Sequence, residues 1–107
     1  MNDPACVVAL REDAGIGPVT FWRLLSRFGS AKAVLSASPV ELQKVSGVSP
    51  DRARRIAETP EKIPAIRAYL ASLPRRDIAL ITAFDPAYPS HLRRLPDAPP
   101  LLYRRGG

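Results

Sequence analysis

Two short stretches of this chain carry the residue types that grip phosphate: Gly15-Ile16-Gly17-Pro18 and Gly47-Val48-Ser49-Pro50. Glycine tolerates positive φ and lets backbone come close to a ligand. A helix that starts at the following proline presents unsatisfied N–H groups and the positive end of its dipole to an anion. Lys44, Arg52, Arg54 and Arg55 surround the second stretch and Arg23 follows the first, so ionic contacts are at hand. Such an arrangement holds a sugar-phosphate backbone without reading bases. The candidate DNA contacts are therefore Gly15, Ile16, Gly17, Lys44, Gly47, Val48, Ser49, Arg52, Arg54 and Arg55, with Ile16 and Val48 as core plugs. A second reading stays open. Glycine, plug residue and proline also make a good turn between two helices, as in interaction modules of the sterile-alpha-motif type, and Ser49 stands where a second glycine is expected.

No other chemistry is visible. His91 has no Ser, Cys or carboxylate at a catalytic spacing, and acidic residues are scattered rather than paired. Cys6 is the single cysteine, which excludes an internal disulfide and a His/Cys zinc cluster. The expectation is a protein that is not an enzyme, with no catalytic residues, no cofactor and no metal. Trp22, beside an apolar Phe21, reads as a boundary residue rather than a stacking platform. The 107 residues carry 16 Lys+Arg against 10 Asp+Glu, a net charge of +6, which favours an acidic partner such as nucleic acid. No stretch approaches the length of a membrane span, and the N-terminus lacks a leader pattern. A soluble, cytoplasmic protein without membrane contact is expected.

The elements that must position the two glycine turns are helices. Asp3 before Pro4 is a cap-then-proline start, and Val7, Leu10 and Ala14 share one face of a helix over 4–13. From Pro18, the residues Phe21, Leu24, Leu25 and Phe28 follow the spacing of a one-faced helix that Gly29 ends. Ala31–Ser36 forms a short helix. Ser38-Pro39-Val40-Glu41 is a capping-box signature in which Glu41 reaches back. Ser49-Pro50 starts the next helix, with Ala53, Ile56 and Ala57 inward. Thr59-Pro60 repeats the start for the longest helix, whose buried face is Ile63, Ile66, Leu70 and Leu73 and which ends before Pro74. A shift of 32 residues aligns Leu10 with Leu42, Gly15 with Gly47, Ile16 with Val48, Pro18 with Pro50, Arg23 with Arg55 and Leu24 with Ile56. The two copies predict a pair of helix-hairpin-helix units related by a pseudo-twofold axis.

After Pro74 the texture changes. Ile78–Phe84 is an uncharged apolar run that predicts a strand buried on both faces, as in a parallel α/β sheet. The proline-dense Asp85–Pro100 excludes a long regular element, leaving room for one helical turn at His91–Arg94. Leu101-Leu102-Tyr103 is strand-like. The tail is expected to pack on the helices, to pair internally as a small hairpin, or to self-associate through an open edge.

The segment Ala83–Gly107 resembles the DNA-processing A (DprA, or Smf) family. The residues that carry the resemblance are Asp85, Tyr88, Pro89, Leu92, Leu95, Asp97, Pro99, Leu102, Tyr103, Arg105 and Gly106, and the region from Gly15 through Phe28-Gly29-Ser30 is similar to the family's N-terminal part. The resemblance implies an all-α helix-hairpin-helix, sterile-alpha-motif-like domain over 1–73. It implies further that 74–107 is a C-terminal β/extended segment opening an incomplete Rossmann-like α/β domain, the chain being truncated before that domain's DNA-binding loop. For the parent protein it implies natural transformation and DNA recombination, with protection of single-stranded DNA and loading of the RecA recombinase. The helical part is then an accessory module making weak, non-specific DNA contact, or a protein-interaction and structural module that touches no DNA.

Overall fold

The computed structural model describes residues 2–106. Asp3 caps the first helix, α1 (Pro4–Val8), by accepting the Ala5 N–H at 2.9 Å, and Pro4 supplies the first helical position. The helix does not continue as α. It widens into a π turn over Ala9–Asp13, with the Ala14 N–H reaching back to Ala9 O at 2.9 Å. Helix α2 (Pro18–Phe28) stops at Gly29, whose φ of 95 lies in the left-handed region. Ser30 caps α3 (Ala31–Ser36), Ser38 caps α4 (Pro39–Leu42) and Ser49 caps α5 (Pro50–Glu58). Helix α6 (Ile63–Ser72) lies between two 3-10 turns, Thr59–Lys62 and Leu73–Arg76.

Several sequence expectations change here. Glu41 does not complete a capping box, because its carboxylate turns to Lys44 at 3.1 Å and Arg27 at 3.6 Å. Thr59 is not a cap. It continues the helical backbone of α5 and donates its hydroxyl to Arg55 O at 2.7 Å, which allows it to be fully buried. Ala57 is exposed, and α6 lies half-buried across the core rather than within it; Leu73, just beyond α6, is buried. Pro74 does not end the helical path, since it falls at the first turn of a 3-10 segment where no N–H is needed.

The repeat is visible in the core. Leu10 and Leu42, Ile16 and Val48, Phe21 and Ala53, and Leu24 and Ile56 are all buried in one cluster, so equivalent positions of the two copies meet at the centre. Gly15 and Gly47 both adopt positive φ, 70 and 96.

The tail is ordered against this helical body. Strand β1 (Ile78–Thr82) pairs antiparallel with β2 (Leu101–Arg105), Leu80 opposite Tyr103 and Thr82 opposite Leu101. The expected parallel, doubly buried strand is thus a shorter antiparallel one, with Ile78, Ala79 and Leu80 only half-buried. The reversal comes from the proline-dense connection, which folds back through successive tight turns: the N–H groups of Tyr88, Leu92 and Ala98 donate to Asp85, Pro89 and Leu95 carbonyls at 3.0–3.2 Å. Leu101 packs on the helical core, while Ile81, Ala83 and Tyr88 form a second small cluster with Leu92, Leu102 and Trp22. Trp22 Nε1 donates to Ala98 O at 2.7 Å and locks the connection to α2. Tyr103, exposed along its ring, donates to Glu12 at 2.6 Å; partial desolvation of the hydroxyl and that hydrogen bond hold it well above the usual range. Of the expected fates of the tail, helix packing and internal pairing both occur.

Candidate nucleic-acid interface

The two hairpins are built alike at the backbone and differently at the edges. Gly17 (φ -68, ψ 164) and Ser49 (φ -76, ψ 164) have almost the same extended conformation, so serine replaces the expected glycine without strain. What changes is the helix end. Ser49 Oγ accepts the Arg52 N–H at 3.1 Å and consumes one free donor of α5, whereas Gly17 offers no side-chain cap and leaves the first-turn donors of α2 without an intrahelical acceptor. Asp51 also places a carboxylate in the first turn of α5, while the first turn of α2 has no acidic residue. By donor supply and by charge, the start of α2 suits an anion better than the start of α5. A side chain on Gly15 or Gly17 would meet nothing within 4 Å, so this backbone faces open space.

The second hairpin sits against the first. Gly47 packs on Thr20, in the opening turn of α2. Arg52 donates to Gly47 O at 2.9 Å, Arg23 reaches Ser46 O at 3.4 Å, and Arg11 donates to Ile16 O, so arginines satisfy the carbonyls of both turns. Each of these contacts engages one of five guanidinium donors and leaves the charge in place.

Side by side, the sequence-derived candidates separate into three groups. Gly15, Gly17, Gly47 and Ser49 are accessible backbone at the turns. Ile16 and Val48 are buried plugs whose side chains face the core, leaving only their backbone to a ligand. Among the cations, Arg52 lies at the joint between the hairpins without an ion pair among the described residues, whereas Arg54 and Arg55 share Asp51 and Lys44 is held by Glu41. The structure brings Arg52 to the site and turns Arg54 and Arg55 into an exposed network along α5. Arg23 belongs with Arg52, although its alignment in the repeat is with Arg55. Its place in the sequence, five residues beyond Pro18, puts it on α2, and nothing local indicates that it reaches across to Ser46.

No group of His, Cys, Asp and Glu able to hold a metal ion occurs among the described residues, and no helix among them is long and apolar enough to cross a membrane. Cys6 is buried, and burial raises its thiol above the usual range.

Comparison with known proteins agrees with the helical geometry. A family described as a SAM-like helix-hairpin-helix tandem matches residues 14–59, the stretch from the first glycine turn to the end of α5. The chain is 27% identical over 105 residues to Protein Smf of Synechocystis sp. (strain ATCC 27184 / PCC 6803 / Kazusa), an alignment covering 98% of this chain and 26% of that protein. The chain thus spans about a quarter of the length of the curated relative it matches. No solved structure matches. The fold is a SAM-like helix-hairpin-helix domain with a small two-stranded antiparallel sheet at its C-terminal end.

Proposed function

We propose that this chain is the N-terminal module of a DNA-processing protein of the Smf type and that its tandem hairpins make an accessory, non-specific contact to the phosphodiester backbone. The observation that carries this reading is the joint between the hairpins: two positive-φ glycine turns, the second packed on Thr20 in the opening turn of α2, an uncapped α2 start with no acidic residue, and Arg23 and Arg52 beside them without ion pairs among the described residues. In this reading residues 1–73 are the contacting module and 74–107 open the Rossmann-like domain of a longer chain. Single-stranded DNA protection, RecA loading and a role in natural transformation belong to that whole protein, in the cytoplasm, and are proposals on the strength of the Smf similarity.

A second reading has its own support. Trp22 and Leu101 tie the tail to the helices, and a module whose work is to steady an adjoining α/β domain needs such a seam. The two readings part in a titration against labelled duplex and single-stranded DNA at two salt concentrations. The DNA reading expects a dissociation constant of about 10⁻⁴ to 10⁻⁶ M near physiological salt, indifferent to sequence and weakening steeply as salt rises. No binding at low salt leaves the steadying role.

A further inference from the structure

Arg75 and Arg76 lie in the 3-10 turn after α6, and Arg104 and Arg105 end β2. The sheet register gathers them. Ile78 stands opposite Arg105 and Ala79 opposite Arg104, and the Gly106 N–H donates to Asp77 O at 3.0 Å, so the turn that carries the first pair abuts the strand end that carries the second. All four side chains are exposed, and none has an ion-pair partner among the described residues. The one carboxylate within this stretch is Asp77, held at positive φ in the turn itself.

Among the described residues ten of the other twelve cations are engaged by the protein itself: Arg11, Arg23, Arg52 and Arg93 donate to backbone carbonyls, and six more are in ion pairs. Arg54 and Arg55 share Asp51, Arg67 holds Asp3 at 2.6 Å and Lys62 holds Asp13 at 3.2 Å. Guarding a strand edge against pairing with another chain needs little more than one charge on the strand. Four guanidinium groups at one sheet end exceed that need, and their mutual repulsion disfavours the arrangement unless an anion relieves it. All four are arginine, the residue whose planar fork matches phosphate bidentately. Arg104 and Arg105 point to opposite faces of the sheet, so the charges wrap around its end instead of converging on one small anion. That distribution suits a polymer of phosphates passing across it.

We propose that Arg75, Arg76, Arg104 and Arg105 form a second phosphate-contacting patch, distinct from the hairpins, for a nucleic-acid backbone. It rests on the DNA reading above for its ligand but on different residues. The test is fluorescence anisotropy of the 107-residue chain with a labelled duplex across a salt series, for the parent, for Arg75→Gln/Arg76→Gln, for Arg104→Gln/Arg105→Gln, for the quadruple variant and for Arg23→Gln/Arg52→Gln. Each sheet-end pair is expected to flatten the slope of log affinity against log salt by about 1 to 2, near 0.9 for each phosphate no longer neutralised, and the quadruple variant by about twice that. The pairwise variants keep the test decisive if the quadruple one does not fold.

Sheet-end variants that bind like the parent while Arg23→Gln/Arg52→Gln weakens binding would sink the patch and leave the hairpin reading intact. The opposite pattern would uphold the patch and overturn the hairpins. A labelled poly-glutamate peptide supplies the other arm: if it binds the quartet as tightly as DNA of equal charge, the patch is an acidic-protein site and the proposal fails.

Discussion

Gly47 rests on Thr20. A Cβ built on Gly47 would stand 2.7 Å from Thr20 Oγ1, and the φ of Gly47, +96, already excludes most side chains. Gly15, its counterpart in the repeat, has φ +70 and open space around it. The two glycines therefore serve different ends: one joins the hairpins, the other turns the chain into open space ahead of α2.

That difference is measurable. Gly15→Ala is expected to cost about 1–2 kcal/mol, the usual penalty of a left-handed residue with a side chain. Gly47→Ala adds an overpacking term of about 1–3 kcal/mol to the same cost. Thr20→Ala should relieve most of that extra term, so a double-mutant cycle read by chemical denaturation will show coupling between positions 20 and 47 and none between 20 and 15.

Ile16 and Val48 are the plugs of the two turns, both buried in the shared core. Ile16→Asp or Val48→Asp leaves a charge with no partner in that core and is expected to destabilise by several kcal/mol. Arg54→Ala, on the exposed face of α5, should change stability by less than about 1 kcal/mol. An Ile16→Asp chain that melts with the parent would show that the plug assignment is wrong.

Asp3 does two jobs, capping α1 and pairing with Arg67 of α6 at 2.6 Å. Desolvation alone would raise its carboxyl, but the Ala5 N–H, Arg67 and Lys32 outweigh that and hold it below the usual carboxylate range. A carboxyl depressed in the folded state stabilises above its unfolded value and loses that contribution as pH falls through the folded one. Asp3→Asn keeps a capping oxygen and removes the titration, so its stability should depend less on pH than the parent's below about pH 5. Asp3→Ala loses the cap as well, about 0.5–2 kcal/mol at neutral pH. Urea melts at pH 7 and in mild acid separate the two.

Trp22 holds the tail through its bond to Ala98 O and its edge contact with Phe84, ring centroids 5.6 Å apart. Trp22→Phe keeps the aromatic packing and leaves the Ala98 carbonyl without its donor, an expected loss of about 1–3 kcal/mol. Hydrogen exchange should quicken in β1 and β2 before it does in α2 or α5.

Much of this architecture was legible in local residue patterns. Asp3, Ser38 and Ser49 mark helix starts because a side-chain oxygen followed by an accommodating first turn is a local solution to unsatisfied N–H groups. The repeat exposed both hairpins and their plugs because the two copies bury the same positions. The π turn at Ala9–Asp13 was not legible, since one carbonyl reached from five residues on hardly alters the side-chain spacing. The sorting of the arginines was not legible either. Whether Arg52 or Arg55 faces the hairpin depends on Asp51 capturing Arg54 and Arg55, and whether Arg23 reaches Ser46 depends on how α2 crosses the second turn. Likewise the antiparallel partner of β1 and the Trp22–Ala98 bond join residues far apart in sequence, where periodicity carries no information.

Whether the hairpin backbones face phosphate is tested most directly by amide chemical shifts of the 107-residue chain titrated with a short DNA duplex. Signals of Gly15, Ile16 and Gly17, with Val19 and Thr20 at the start of α2, are expected to move progressively with added DNA, those of Gly47, Val48 and Ser49 to move less, and added salt to reverse the movement. DNA binding that shifts other amides while leaving Gly15 to Thr20 where they stand would contradict a phosphate contact at the hairpins.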